Sequence, residues 1–219
     1  MLHVLFYDFG RFGSGVCGAG GVRASTAVRP VSSPKILYHG KFLRVESWPT
    51  PEGEHEVVVH PGAVALLVTD QTGRVLLVRQ RRAGARGEMW EIPAGTLEPG
   101  EKPFFCAIRE LREETGLSLR PRFLGVIYPT PGYSTERIFL FAAKTEEAPF
   151  ASHEIEEVRF FTKEEVLELA RRGKGDGKTL AALAFFFASV SLPTQRDAAR
   201  HPPKKGPQNK PVTPDKGKG

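Results

Sequence analysis

At 219 residues, with 40% apolar and 26% charged side chains, the chain has the balance of a soluble globular protein and the length for one domain with a full core plus tails. The net charge of +6 suggests nucleic acid until it is located: residues 193–219 carry +5 and residues 1–33 carry +2, leaving −1 for residues 34–192. A near-neutral middle makes nucleic acid an unexpected partner for the fold itself.

Two cysteines, Cys17 and Cys106, lie far apart and in no metal-ligand spacing. A disulfide framework is not expected, and a reducing, cytoplasmic location is the default. The apolar start of the chain has no basic stretch before it, so a signal peptide is not expected. The longest apolar run, 180–190, is too short to span a bilayer and reads as a core helix, so no membrane partner is expected.

In chain order, residues 1–33 are rich in Gly, Ser and Arg without a clear period and read as a disordered or mis-assigned extension. The domain is expected over 34–192. Residues 36–38 and 41–47 flank His39-Gly40 and read as an N-terminal β-hairpin. Residues 56–59 and 63–69 follow as strands, then a turn at Asp70-Gln-Thr-Gly73 and a strand over 74–79. The first helix is expected over 103–115, with Pro103 at its first position and Gly116 just past its last turn. Strands are predicted over 123–128, 137–143 and 158–161. Thr162 and Glu165 form a capping box that opens the second helix, and a third is expected over 179–191. Residues 193–219 hold too few apolar side chains to offset their ordering entropy and read as a disordered basic tail. Strands and helices in this order predict an α+β fold, an α/β/α sandwich with a mixed sheet between helices.

The first helix carries the chemistry. On a helical wheel Phe104, Ala107, Ile108 and Leu111 make one apolar face, and Glu110, Glu113 and Glu114 gather on another. Three crowded carboxylates repel one another, and the negative end of the helix dipole disfavours them further. A solvated acidic face is one reading. The other is a hard divalent cation among the oxygens, and magnesium would keep waters that leave room for phosphates.

The surroundings favour the cation. Gly95, five residues, Glu101, seven residues, then Arg109-Glu110-Leu111-Arg112-Glu113-Glu114-Thr115-Gly116-Leu117 match every defined position of G-x5-E-x7-R-E-U-x-E-E-x-G-U. This pattern resembles the Nudix box, and the resemblance runs over roughly residues 36–190. It implies the Nudix fold and cleavage of a diphosphate bond with Mg2+ ions, for which Mn2+ could substitute. It assigns metal binding to Glu110, Glu113 and Glu114, with the backbone carbonyl of Ala94 and the Glu101 side chain as further ligands. Arg109 would orient the carboxylates, and Gly95 would allow a close backbone approach.

Two patches resemble the ADP-ribose pyrophosphatase branch. One runs from Val78-Arg79-Gln80-Arg81-Arg82 to Trp90-Glu91-Ile92-Pro93-Ala94-Gly95. The other is Tyr128-Pro-Thr-Pro-Gly-Tyr133-Ser-Thr-Glu136, with Pro131 fourteen residues past Leu117. The segment Asp176-Gly-Lys-Thr-Leu180 resembles the same branch. The substrate-side candidates are therefore Arg79, Arg81, Arg82, Trp90, Glu91 and Tyr133. Arginines can neutralise a diphosphate and an aromatic ring can stack on a base. In that branch the base is often a loop glutamate outside the box, which points to Glu154 and then Glu157; Glu113 is a further catalytic candidate. The resemblance also implies a homodimer. Hydrolysis of another nucleotide sugar or of an oxidised nucleoside triphosphate is the alternative, and a ligand-sensing domain without catalysis is a third reading.

Overall fold

A computed structural model describes residues 33–191 except Phe42 and Glu154. The N-terminal extension, the basic tail and Glu154 thus lie outside the described residues. The described chain opens with a three-stranded antiparallel sheet of β1 (Lys35–His39), β2 (Arg44–Thr50) and β3 (Gly53–Val59). The expected hairpin is present but belongs to a larger sheet. The third strand starts earlier than 56, because Thr50 pairs with Gly53 across a tight turn.

The second sheet follows: β4 (Ala63–Thr69), β5 (Val75–Arg82), β6 (Gly87–Glu91), β7 (Ala94–Thr96), then α1 (Pro103–Thr115), β8 (Arg122–Ile127), β9 (Ile138–Lys144), β10 (Glu157–Phe161), α2 (Lys163–Arg171) and α3 (Gly177–Ser191). Its main order is β10-β5-β4-β9-β8, with β6 on β5 and β7 on β4. The β4–β9 pair is parallel and the remaining pairs are antiparallel, so the sheet is mixed.

Every residue of β4 is buried, because helices cover both faces of the sheet. On one face Val64, Leu66, Val68 and Leu76 pack with Cys106, Ala107 and Leu111 of α1. On the other, Ala65, Leu67, Leu77 and Phe161 pack with Val166 of α2 and Ala182 and Leu183 of α3. This is the expected α+β sandwich. One detail of the wheel differs: Cys106 is fully buried, whereas Ile108 is only half-buried beside exposed Phe105.

The strands β6 and β7 were not expected. They arise because β5 leaves β4 after a single register pair, Thr69 with Val75. The gap is filled by β6 returning along β5, by buried Ile92 and Pro93, and by β7 pairing with the start of β4. That divergence places Ala94 and Gly95 beside α1. The two terminal helices begin as their sequences require: Pro103 occupies the first turn of α1, and both bonds of the Thr162–Glu165 capping box form on α2.

Candidate active site

The centre of the site is the last turn of α1. Glu114 is 7% exposed. Its carboxylate accepts from the Gln80 side-chain amide at 2.6 Å and from the Ala94 backbone N–H at 3.1 Å. Burial pushes this carboxyl up to about 7, against the pull of those two bonds. Burial also raises Glu110, although Arg109 opposes it. Glu113 is more than half exposed.

Arg109 gathers the remaining carboxylates. Its guanidinium donates to Glu101 at 2.9 and 2.8 Å, to Glu110 at 2.8 Å and to Glu113 at 3.0 Å. The Arg109 hydrogen bonds hold Glu101 down to about 2. Glu101 therefore binds the arginine that organises the cluster. Gly95 closes one side: a Cβ there would fall on the Glu110 carboxylate. Only a residue without a side chain lets the β7 backbone lie against that group.

Among the described residues no three His, Cys, Asp or Glu side chains converge as a ready-made cage. The donor set nevertheless suits a hard cation. Glu101, Glu110 and Glu113 share a single guanidinium, and Glu114, buried on Gln80 and the Ala94 N–H, is destabilised in its charged form.

Beside this cluster lies a cleft of about 380 Å³, whose lining includes Ala94, Gly95, Thr96, Arg82, Lys178 and His60. Its charged wall is a network on Glu91. The Glu91 carboxylate accepts two bonds from Arg82, at 2.9 and 2.7 Å, and one from Lys178 at 2.5 Å. Burial would raise Glu91, but Arg82 and Lys178 outweigh it and lower the carboxyl. Asp176 accepts from Lys178 and from the Thr179 hydroxyl, and Thr179 in turn accepts from the Ile92 N–H at 3.1 Å. A polar cleft with fixed cations beside an acidic, cation-ready cluster is suited to holding a phosphorylated compound at a metal.

The NUDIX domain model matches residues 58–183, which include α1, the β4–β7 backbone and the cleft. The chain belongs to the Nudix family. It is 34% identical over 172 residues to the ADP-ribose pyrophosphatase of Bacillus subtilis, covering 73% of this chain and 93% of that protein. It is 33% identical over 160 residues to the methanol dehydrogenase activator of Bacillus methanolicus, covering 68% and 86% of the two chains. It is 41% identical over 90 residues to the ADP-ribose pyrophosphatase of Mycobacterium tuberculosis, covering 40% and 44%.

The Nudix box thus brings Gly95, Arg109, Glu110 and Glu114 together, with Ala94 just ahead of it bonded to Glu114 and Glu113 at the exposed rim. The substrate-side candidates divide. Arg82 and Glu91 meet at the cleft. Trp90 packs edge-on against Phe161 at 4.7 Å, with Arg79 and Arg159 over its ring at 5.8 and 5.4 Å. Arg79 also approaches Glu156 and Glu157 at 3.6 and 3.5 Å. Arg81 is exposed opposite Glu88. Tyr133 is exposed on a loop whose backbone bonds β3 through Val58. Three groups of the assembly were not singled out from sequence: Gln80, Asp176 and Lys178. Gln80 sits inside the Val78–Arg82 patch, and the other two sit inside the Asp176–Leu180 segment. The signal was the segment, but nothing in its spacing says that Lys178 reaches Glu91.

Proposed function

We propose that this Nudix protein hydrolyses the diphosphate bond of ADP-ribose to AMP and ribose 5-phosphate with Mg2+, for which Mn2+ can substitute. The observation that carries the reading is the junction of Glu110, Glu114 and the Ala94–Gly95 backbone with a cleft walled by Arg82 and Lys178. The similarity to a B. subtilis ADP-ribose pyrophosphatase over 93% of that protein supports the substrate.

In this reading Glu110, Glu113, Glu114 and the Ala94 carbonyl would hold the ions. When bound, the metal offsets charge on the phosphate oxygens and lowers the proton affinity of water. Arg109, tied to Glu101, keeps Glu110 and Glu113 in place. Arg82 and Lys178 orient the substrate's phosphates in the cleft, on the fixed base of Glu91. Arg79, Arg81, Trp90 and Tyr133 are proposed as outer contacts. A carboxylate of the segment that leads into β10, Glu154 or Glu157, takes the proton of the attacking water. The water oxygen bonds to one phosphorus, the bridging P–O bond breaks, and the second phosphate leaves. The enzyme is proposed to work as a homodimer in the cytoplasm. Its buried free thiol Cys106 suits a reducing compartment.

The test is product analysis with Mg2+ and, separately, ADP-ribose, other nucleotide sugars and oxidised deoxynucleoside triphosphates. AMP formed from ADP-ribose well above the others, and lost with a chelator, is the expected result. Preference for another compound would overturn the substrate and keep the reaction class. Binding of ADP-ribose without cleavage of any compound would make the protein a sensor.

A further inference from the structure

One edge of β6 pairs with β5. The other edge carries the segment that joins α2 to α3. The Trp90 N–H donates to the Lys174 carbonyl at 2.8 Å, and the Ile92 N–H donates to the Thr179 hydroxyl oxygen at 3.1 Å. Between them the Glu91 carboxylate accepts from Lys178 Nζ at 2.5 Å. Three consecutive residues thus hold the start of α3 in register along β6. The same stretch runs on through Pro93 to Ala94 and Gly95.

Asp176 stands immediately before α3, and its two carboxylate oxygens have separate partners. Oδ1 accepts from the Thr179 N–H at 3.1 Å and from the Thr179 hydroxyl. The N–H bond is that of a helix N-cap. The hydroxyl proton is thereby committed to Asp176, which leaves the buried Thr179 oxygen as acceptor for Ile92. Oδ2 accepts from Lys178 Nζ. Asp176 and Lys178 both line the cleft.

The cap accounts for Oδ1 alone, and Asn or Ser would serve it as well. Neutralising Glu91 does not account for Lys178 either, because Arg82 already gives that carboxylate two bonds. A lysine ammonium ends a flexible four-carbon stem and carries three donors. Glu91 and Asp176 engage two of them and fix the group from two sides, so one donor serves a ligand in the cleft. A cation held in place before binding loses less freedom when an anion arrives.

We infer that Asp176 is a positioning residue: through Oδ2 it fixes Lys178 in the cleft for the substrate's phosphates, a task separate from its capping of α3. The inference rests on the hydrolase reading, which gives Lys178 phosphates to orient. Asp176 acts through Lys178 and needs no contact of its own with the substrate.

The test uses two variants that keep a capping oxygen, assayed with ADP-ribose and Mg2+. Asp176→Asn retains the acceptor for Thr179 and turns an amide donor toward the ammonium. Asp176→Ser retains a capping hydroxyl and removes the second group altogether. In each, KM should rise about tenfold while kcat stays within about threefold. Melting temperatures should stay within about 3 °C of the wild type, because the cap survives. In a Lys178→Met background either change should alter KM by less than about twofold, because the group it positions is gone. An unchanged KM in both variants would overturn the inference alone; joined to a fall in melting temperature, it would mark Asp176 as a cap and nothing more. An equal rise in KM in both backgrounds would overturn it as well. A wild-type protein that cleaves no diphosphate would overturn the hydrolase reading and the inference with it.

Discussion

The Glu91 carboxylate at the end of β6 holds Arg82 of β5 in a two-bonded ion pair, and the same carboxylate also takes Lys178 from the start of α3. One buried anion thereby joins three elements at the wall of the cleft. The Glu91 side chain is 3% exposed, that of Lys178 12% and that of Arg82 42%. The Lys178 half is the less screened and contributes the larger share.

Glu91→Ala leaves Lys178 with Asp176 alone and strands Arg82. The expected cost is about 2–4 kcal/mol, somewhat below that of breaking a fully buried pair because Arg82 stays wet. Thermal unfolding should shift down by roughly 6–12 °C for a domain of this size. A shift under about 2 °C would mean that solvent replaces the network at little cost.

Gly95→Ala should spare the fold and damage the site. Gly95 has no positive φ, so alanine brings no backbone strain. The added methyl meets the carboxylate of Glu110, the mobile end of a side chain. Glu110 should swing aside, with stability changed by less than about 1 kcal/mol and kcat lowered about a hundredfold. Steady-state kinetics beside a melting curve checks both halves. Unchanged turnover would remove Glu110 from the reacting assembly.

Glu114→Gln replaces a buried carboxylate by a neutral group of the same shape. Gln80 can turn its amide to accept, so the local hydrogen bonds can be rebuilt. Turnover should drop by about 10² or more with the melting temperature retained. Near-normal turnover would refute the assignment of Glu114 to the metal.

The turn between β4 and β5 predicts a separate pH effect. Burial acts to raise Asp70, but bonds from Thr72 and Arg74 prevail and lower its carboxyl from 3.8 to about 2. A depressed carboxyl stabilises the fold above its unfolded value, and that contribution is lost as the pH falls from about 4 through 2. Following the Asp70 carboxyl by NMR should show titration near the lower value. The stability gap between wild type and Asp70→Asn should close over the same window. A midpoint near 3.8 would show that the turn bonds do not favour the charged form.

Sequence alone determined the helix that carries Glu110, Glu113 and Glu114. Its limits are local: Pro103 at the start, Gly116 at the stop and an apolar stripe between them. The capping box of α2 and the fully buried strand β4 were legible for the same reason, since neighbours along the chain set them. The Nudix box spacing gave the reaction class, because a chain must hold its carboxylates at helical intervals to present them together.

Tertiary structure decided the rest. The wheel places Glu110, Glu113 and Glu114 side by side, yet only packing makes Glu114 buried and Glu113 exposed. Glu101 fits the motif as one more carboxylate, and the fold turns it onto Arg109. Trp90 and Glu91 are adjacent in sequence, but strand alternation sends Trp90 to Phe161 and Glu91 to Arg82 and Lys178. The contacts of Lys178 with Glu91 and of Gln80 with Glu114 span 87 and 34 residues. No periodicity or spacing encodes such distances; they follow from which face of a sheet each side chain leaves and which helix covers it.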